Sequence, residues 1–429
     1  MLVDMLMDIA IPDDFTKLLP IVIPIIVYGV YWIITIPVNR IRTTDNLGYN
    51  FKNAKTGAER AFYVKKIQRM RKAGDLPPVF PNGWYCISES STLKPKQIKE
   101  VPVFGTIMSL VRSEKGKVHL MESYCPHLGA NFNVGGRVVN DNCVQCPFHG
   151  WIFSAETGKC VKIPYDDGTI PPQAQVQTFP VVEKNKNIYC WYHSDGEEPE
   201  WQVPDIEEIG KSWTYGGRTE HEIQCHAQEI PENGADIAHL NYLHFSAPDQ
   251  GSDITRISLD DMKPRISHAW NGSWTEGVGK EKHIGTMILE QYLVLFSRFK
   301  LPFTDSYLRA EQHGPGIVLM YFDFGIIGKG CVLQHVTPEE PLLQRVRFNM
   351  FSNCPRWYNK FFIISEAIQF ERDIYIWNNK QYVKEPLVVR NDGPIKKHRR
   401  WYSQFYTDNS PRLVTHNRLD RPVFDNFDW

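Results

Sequence analysis

Residues 233–244, NGADIAHLNYLH, space Asn233, Asp236 and His239 by three and set His244 five positions beyond His239. One carboxylate and two imidazoles are a donor set for a transition metal. On a regular helix the first three would form one ridge, whereas a five-residue step carries His244 about 140° around the axis. Both imidazoles reach one ion only if the helix breaks or bulges between them, as helices often do at functional sites. A zinc-protease helix would space its histidines by four, so this is a different kind of site. The plainer alternative is two hydrogen-bonded core histidines on a Tyr-rich helix.

A second cluster lies upstream in CPHLGANFNVGGRVVNDNCVQCPFHGW, residues 125–151, as Cys125-x-His127 and Cys146-x-x-His149. Two thiolates and two imidazoles could hold Zn²⁺ in a structural site. They could also hold a Rieske [2Fe–2S] centre, in which two cysteines bind one iron and two histidines the other. Zinc fingers pair Cys with Cys and His with His; each loop here offers one of each, an order suited to two irons. Gly129, Gly135, Gly136 and Gly150, with Pro126 and Pro147, suit loops whose amides lie against sulfur. The pieces C-x-H and C-P-F-H-G-W resemble the Rieske signature. N-x-x-D-x-x-H-x-x-x-x-H resembles the mononuclear iron motif of the Rieske non-haem iron oxygenases. Eighteen residues separate His127 from Cys146, slightly more than is usual in that family, and the extra length falls at the hairpin around Val139–Asn142. Cys143 has no place in the family pattern and reads as structural.

A non-haem Fe(II) site needs a carboxylate beside its two histidines. FERDIYIWNNK, residues 370–380, offers Glu371 and Asp373. Phe370, Asp373, Ile374 and Trp377 follow the i, i+3, i+4, i+7 pattern of one inward face, which favours Asp373. Glu371 lies nearly opposite on the wheel and is expected to face outward or sideways. D-x-x-I-W also resembles the third-ligand helix of steroid-type Rieske oxygenases; the plainer reading is a buried acid paired with an arginine. The resemblance implies that Asp236 hydrogen-bonds His239 and His149 of the partner subunit, making the electron bridge of a head-to-tail homotrimer.

The elements that must position these groups show in the texture of the 429 residues. Hydrophobic residues at 42% suffice for real cores, and Lys+Arg 48 against Asp+Glu 49 gives no electrostatic case for nucleic acid. Nine scattered cysteines read as reduced thiols and metal ligands rather than a disulfide framework. After an N-terminal tail (1–17), Leu18–Val38 carries no charge over a length sufficient to cross a bilayer. Acidic residues precede it, and Arg40, Arg42, Lys52, Lys55 and Arg60 follow. The expectation is therefore a single-pass transmembrane anchor with the remainder facing the cytosol, at the endoplasmic reticulum. A juxtamembrane helical segment (39–79) follows, with a basic amphipathic stretch at 54–74. Short Val-, Ile- and Tyr-rich runs with Gly and Asn-Asp turns from 80 to 193 predict an all-β domain. An acidic linker (194–204) leads to a domain (205–429) that mixes strands and helices. The fold class is α+β: transmembrane helix, all-β Rieske domain, then a helix-grip catalytic domain of antiparallel sheet plus helices.

The resemblance spans about 80–425. The anchor, NGADIAHLNYLH and RRWYSQFY (399–406) together resemble the Neverland-type cholesterol 7-desaturases of animals. Bacterial 3-ketosteroid 9α-hydroxylases share the core motifs but generally lack the anchor. This implies an O₂- and NAD(P)H-dependent oxidoreductase that takes electrons from a separate reductase through the [2Fe–2S] cluster to a mononuclear Fe(II), and converts cholesterol to 7-dehydrocholesterol. LEQYLVLFSRF (289–299) and FDFGIIG (322–328) could line a sterol-sized cavity, although core strands look the same. Two other readings stand beside it: a Rieske monooxygenase hydroxylating a steroid or other apolar substrate, and a membrane-tethered electron carrier with a binding module.

Overall fold

The computed structural model describes residues 13–256, 264–302, 304–390, 392–415 and 418–420; the expected tail up to residue 12 and the last nine residues of the chain lie outside these. The Val- and Ile-rich runs become strands β2 (Gly83–Glu89), β3 (Ile98–Val103), β4 (Thr106–Arg112) and β5 (Val118–Glu122), preceded by β1 (Val38–Arg42). They continue as β6 (Arg137–Val139), β7 (Cys143–Gln145), β8 (Ile152–Ser154), β9 (Cys160–Lys162), β10 (Thr178–Phe179), β11 (Val181–Lys184) and β12 (Asn187–Tyr192). Three small antiparallel sheets result, in the orders β11-β12-β2, β10-β5-β4-β3 and β6-β7-β8-β9. Val101, Val103, Leu110 and Leu120 fill the core of one part, and Phe132, Val144 and Phe153 that of the other. Between β6 and β7, Asn140 and Asp141 both take positive φ (48° and 67°). Asn and Asp tolerate that conformation, and it matches the twist of a tight hairpin.

The C-terminal half is built on β13 (Thr214–Ile223), β14 (Ile266–Glu276), β15 (Ile284–Leu295) and β16 (Phe299–Lys300). It continues through β17 (Ser306–His313), β18 (Ile317–Asp323), β19 (Lys329–Glu340) and β20 (Leu343–Ser352). The sheet runs β1-β13-β20-β19-β18-β17-β15-β14, with β16 beside β15. Helix α5 (Arg356–Trp377) lies against it, preceded in the chain by α1 (Asp13–Thr35), α2 (Gly57–Met70), α3 (Glu229–Glu232) and α4 (Ile237–Leu240) and followed by α6 (Ile395–Tyr402). Ile363, Ile374 and Trp377 of α5 pack on Ile223, Val332, Val346 and Met350 of the sheet, each large side chain contributing roughly 1.5–3 kcal/mol by burial.

The two halves are riveted by charge. Glu89 on β2 accepts from Arg218 (2.6 Å) and Asn349 (3.0 Å) of the large sheet, and Glu220 is shared by Arg218, Arg345 and Arg347 at 2.7–3.0 Å. The stretch after β12 is pinned as well: Trp201 accepts from Trp84 Nε1 (2.8 Å) and packs edge-on to Trp191.

Three expectations need correction. The segment 39–79 is not helical throughout: only Gly57–Met70 is, capped by Thr56 and Glu59. Residues Val38–Arg42 instead add a parallel edge strand to β13. Glu371 does not face outward, because β1 covers that side of α5. The Arg40 guanidinium forks onto its carboxylate (2.7–3.1 Å), Ser252 donates at 2.8 Å, and His221 Nε2 lies 3.5 Å away. Burial opposes ionisation of Glu371, but the His221 contact and Arg40 outweigh it and hold the carboxyl at about 2. Finally, Asn233, Asp236 and His239 do not share a helical ridge: Asn233 ends α3 and Asp236 caps α4.

Helix α1 forms where the anchor was expected. Ile21, Ile25, Val27, Tyr28 and Tyr31 are all more than half exposed. Its last turn is fastened to α5, with Lys360 Nζ 3.3 Å from the centre of the Trp32 ring and Arg356 donating to the Thr35 carbonyl (3.4 Å). Among the described residues no helix is long and apolar enough to cross a membrane.

Replacing Glu371 with Gln leaves Arg40 and His221 facing a neutral amide. Loss of one partner of a buried pair costs on the order of 3 kcal/mol, so the melting temperature should drop by several degrees.

Candidate active site

Helix α4 is one turn long, and its Asp236 cap accepts from the His239 amide (3.3 Å). The chain then leaves the helix through Asn241 and Tyr242, and His244 sits beyond the break. The distortion required by the five-residue spacing is therefore present. His239 and His244 meet with ring centroids 5.1 Å apart and planes at 79°. Asp373 Oδ1, from the middle of the last turns of α5, lies 3.1 Å from His244 Nε2 and 3.9 Å from His239 Nε2. The three ligand atoms all fall within 4.8 Å of one another.

The outer nitrogens are already committed. His239 Nδ1 hydrogen-bonds the Asp236 backbone carbonyl, and His244 Nδ1 faces Gln369 Oε1 at 3.1 Å. Both arrangements place the proton on Nδ1 and turn Nε2 inward as a lone-pair donor, as metal-binding histidines require. Burial alone would lower the His244 pKa; the Asp373 carboxylate and Gln369 outweigh it and raise it. Two neutral imidazoles and one carboxylate converging on a point fit a divalent metal with open positions. Asp236 pairs only with His239 among the described residues of one chain, and its side chain stays about one-third exposed.

Two residues that sequence reasoning passed over hold this arrangement. Arg372 is 1% exposed and donates to the carbonyls of Leu243 (3.3 Å), Ser246 (2.9 Å), Ala247 (3.2 Å) and Gly251 (3.0 Å), and to Gln369 Oε1 (2.9 Å). Gln369 in turn donates to Ser246 O (3.1 Å). Long polar side chains on the apolar face of a buried helix are the signal that could have revealed them. A third fastening explains RRWYSQFY: Arg399 forks onto Glu232 (2.6 and 2.8 Å), and Trp401, Tyr402 and Phe405 pack with Ala235 and Trp274.

In the small sheets, the two loops bring Cys125 and Cys146 together beneath His127 and His149, whose ring centroids are 4.7 Å apart. Each loop is tightened by a glycine in the left-handed region, Gly129 (φ 73°) and Gly150 (φ 74°), donating back to the Cys125 and Cys146 carbonyls. Trp151 stacks on His127 at 4.7 Å. Burial pushes the Cys125 thiol up to about 11, opposed by the His127 backbone and reinforced by the Cys146 thiol. His127 Nδ1 is buried without a partner among the described residues. Two buried thiols in contact and an orphaned imidazole nitrogen fit a metal cluster and make poor sense as core packing.

Beside the histidine–aspartate triad, α5 and the sheet line a cavity of about 220 Å³. Its walls are largely apolar, with Met287, Leu308, Met320, Val332, Phe348 and Phe370 among them. Both suspected lining stretches contribute, through Leu289 and Gln291 and through Phe322 and Phe324.

Residues 83–180 match the Rieske [2Fe-2S] domain, and residues 190–406 match the 3-ketosteroid 9alpha-hydroxylase C-terminal domain. The cholesterol 7-desaturase of Caenorhabditis elegans is 58% identical over 397 residues, covering 92% of each chain. The chain belongs to the cholesterol 7-desaturase family of Rieske oxygenases. The nvd cholesterol 7-desaturase of Xenopus laevis is 42% identical over 403 residues, 93% of this chain and 87% of that one. A dicamba monooxygenase structure aligns with a TM-score of 0.57 over 77% of this chain and 98% of that one; at 17% identity it bears on the fold alone. A member of this family is a sterol-directed oxidoreductase with two iron cofactors, a Rieske cluster and a mononuclear non-haem iron.

Arg372→Met would take the guanidinium from four loop carbonyls, leaving those of Leu243 and Gly251 without it as a donor, and release His244. Mononuclear iron content should fall about tenfold or more, in line with the loss of groups that orient metal ligands. The Rieske absorption spectrum should stay unchanged.

Proposed function

We propose that this chain converts cholesterol to 7-dehydrocholesterol. The carrying observation is that His239, His244 and Asp373 converge on the wall of a largely apolar cavity. His239, His244 and Asp373 would hold the mononuclear iron; Cys125, His127, Cys146 and His149 would hold the [2Fe–2S] cluster. When bound, the iron activates dioxygen with electrons relayed by the cluster. The sterol loses one hydrogen from C7 and one from C8, dioxygen becomes two waters, and NAD(P)H supplies the other two electrons through a separate reductase. The protein's part is positional: the cavity walls hold the rings, exclude water and present one edge of the sterol to the triad.

The bridge through Asp236 to His149 of the partner subunit belongs to the same proposal. It is supported by the exposure of Asp236 and by a rim of exposed apolar side chains, Leu128, Val134, Phe148 and Tyr165, around the cluster loops. A rim of that kind fits a partner subunit in a homotrimer. The membrane anchor is likewise proposed, with the catalytic parts on the cytosolic side of the endoplasmic reticulum. Exposed apolar side chains on all sides of α1 support it, together with Ile326, Trp357 and Phe361, which stand exposed near the α5 end where α1 is fastened. Phe324 and Phe362, close to these, line the cavity, so a sterol could pass to it from the lipid.

Purified protein supplied with cholesterol, a reductase, NAD(P)H and O₂ should produce the absorbance of a conjugated diene. Accumulation of 7-hydroxycholesterol without diene would replace desaturation by hydroxylation. His239→Ala and Asp373→Ala should abolish turnover while the cluster still accepts electrons; unchanged function in these variants would identify an electron carrier instead. Asn271, in the sequon Asn271-Gly272-Ser273, is exposed on β14. It should carry no glycan in cells, since a glycan there would put the domain in the lumen.

A further inference from the structure

Glu366 stands two turns before Asp373 on the cavity side of α5. Its side chain is solvent-accessible on the face that lines the cavity, although it lies deep in the fold. Its neighbours on that face are Phe362, Ile363, Ala367 and Phe370. Among the described residues it has no hydrogen-bond or ion-pair partner. Burial pushes its pKa up to about 7, against the pull of His244. An acid among apolar side chains without a partner is unusual, and no described residue uses it.

Three glutamines of the cavity wall are already engaged. Gln312 donates to the Gly314 carbonyl (3.1 Å) and accepts from His398, Gln291 holds His268 (2.9 Å), and Gln369 serves His244 and Arg372. Glu366 offers an open acceptor and, when protonated, a donor in the same group, the complement of an alcohol. Seven residues of helix place it about 10 Å along the axis from Asp373. A metal-to-carbon approach plus the four ring bonds between C7 and C3 of a sterol is a distance of the same order.

We propose that Glu366 is the recognition group for the substrate's 3β-hydroxyl, fixing the sterol lengthwise so that C7 and C8 lie at the triad. This rests on the sterol reading above and names its polar determinant. A hydrocarbon terminus at C3 would leave the acid unmatched and a ketone could meet only its protonated form, so the site favours an alcohol.

The test compares cholesterol with cholest-5-ene, which lacks the hydroxyl, by equilibrium binding and by conversion on the full-length holoenzyme in detergent. The wild type should prefer cholesterol about tenfold or more in dissociation constant. Glu366→Gln, which keeps a donor and an acceptor, should retain most of that preference, and Glu366→Leu should reduce it to within about twofold. If Glu366→Leu fails to fold, Glu366→Asp, one methylene short, must still lower the preference. Equal binding of both compounds by the wild type, or an unchanged preference in Glu366→Leu, overturns the proposal. So does equal loss of conversion of both compounds with binding unchanged, which would make Glu366 a proton source. Glu366-dependent preference in binding with no sterol oxidised at all would retain the hydroxyl site and sink the reaction assigned above.

Discussion

The site depends on one buried guanidinium. Arg372 gathers the carbonyls of Leu243, Ser246, Ala247 and Gly251 onto helix α5, in an irregular stretch that has only an isolated bridge to β14. Buried backbone groups must find partners. Here one side chain supplies them, and in doing so it brings His244 to the residue next to itself, Asp373. The same helix position thus satisfies the loop and sets the spacing of the triad. His239 arrives by a separate route, on a single helical turn whose preceding Glu232 is held by Arg399.

Helix α5 does unlike things on its different sides. One face looks into the cavity with Phe362, Glu366 and Asp373; the next holds the loop through Gln369 and Arg372; a third takes Arg40 from strand β1 through Glu371. Such a helix has almost no solvent side near its C-terminal end. Its position is fixed from upstream by β1, from below by the sheet and from beside by the loop. Glu89 then fixes the small sheets relative to that frame through Arg218 and Asn349, and Glu220 holds Arg218 from the large sheet's own side. Their value lies in geometry more than in net stability, because desolvation offsets much of the attraction of such pairs.

The local parts of this arrangement were legible in the sequence. Cys125-x-His127 and Cys146-x-x-His149 lie in short loops whose spacing is their geometry, and the five-residue step from His239 to His244 demanded the helix break that is present. Asp373 could be chosen because an acid on an apolar helical face is conspicuous. Glu371 was misjudged because a helical wheel assumes one wet side, and the strand that covers it comes from residues 38–42, more than three hundred positions away in the chain. Strand β1 itself was unreadable for a related reason. VNRIR has the alternation of a strand, but it is too short and too basic to announce one beside a long apolar run. Arg372 and Gln369 escaped because most of their partners belong to the loop of residues 243–251, more than a hundred positions upstream, and several are backbone carbonyls that leave no mark in composition.

The two iron sites also differ in when they can exist. All four residues assigned to the cluster lie within residues 125–149, inside a unit whose strands are complete by residue 192. The triad needs Asp373, and the helix that bears it docks only after every strand of the large sheet has been made. On a chain that emerges from the ribosome N-terminus first, the cluster site is ready for loading long before the mononuclear site has a carboxylate. Maturation is therefore ordered by topology. On the residue roles proposed above, a nascent or truncated chain would hold a complete cluster site while the mononuclear site still lacks its carboxylate, so dioxygen chemistry would wait until the fold that contains it is closed.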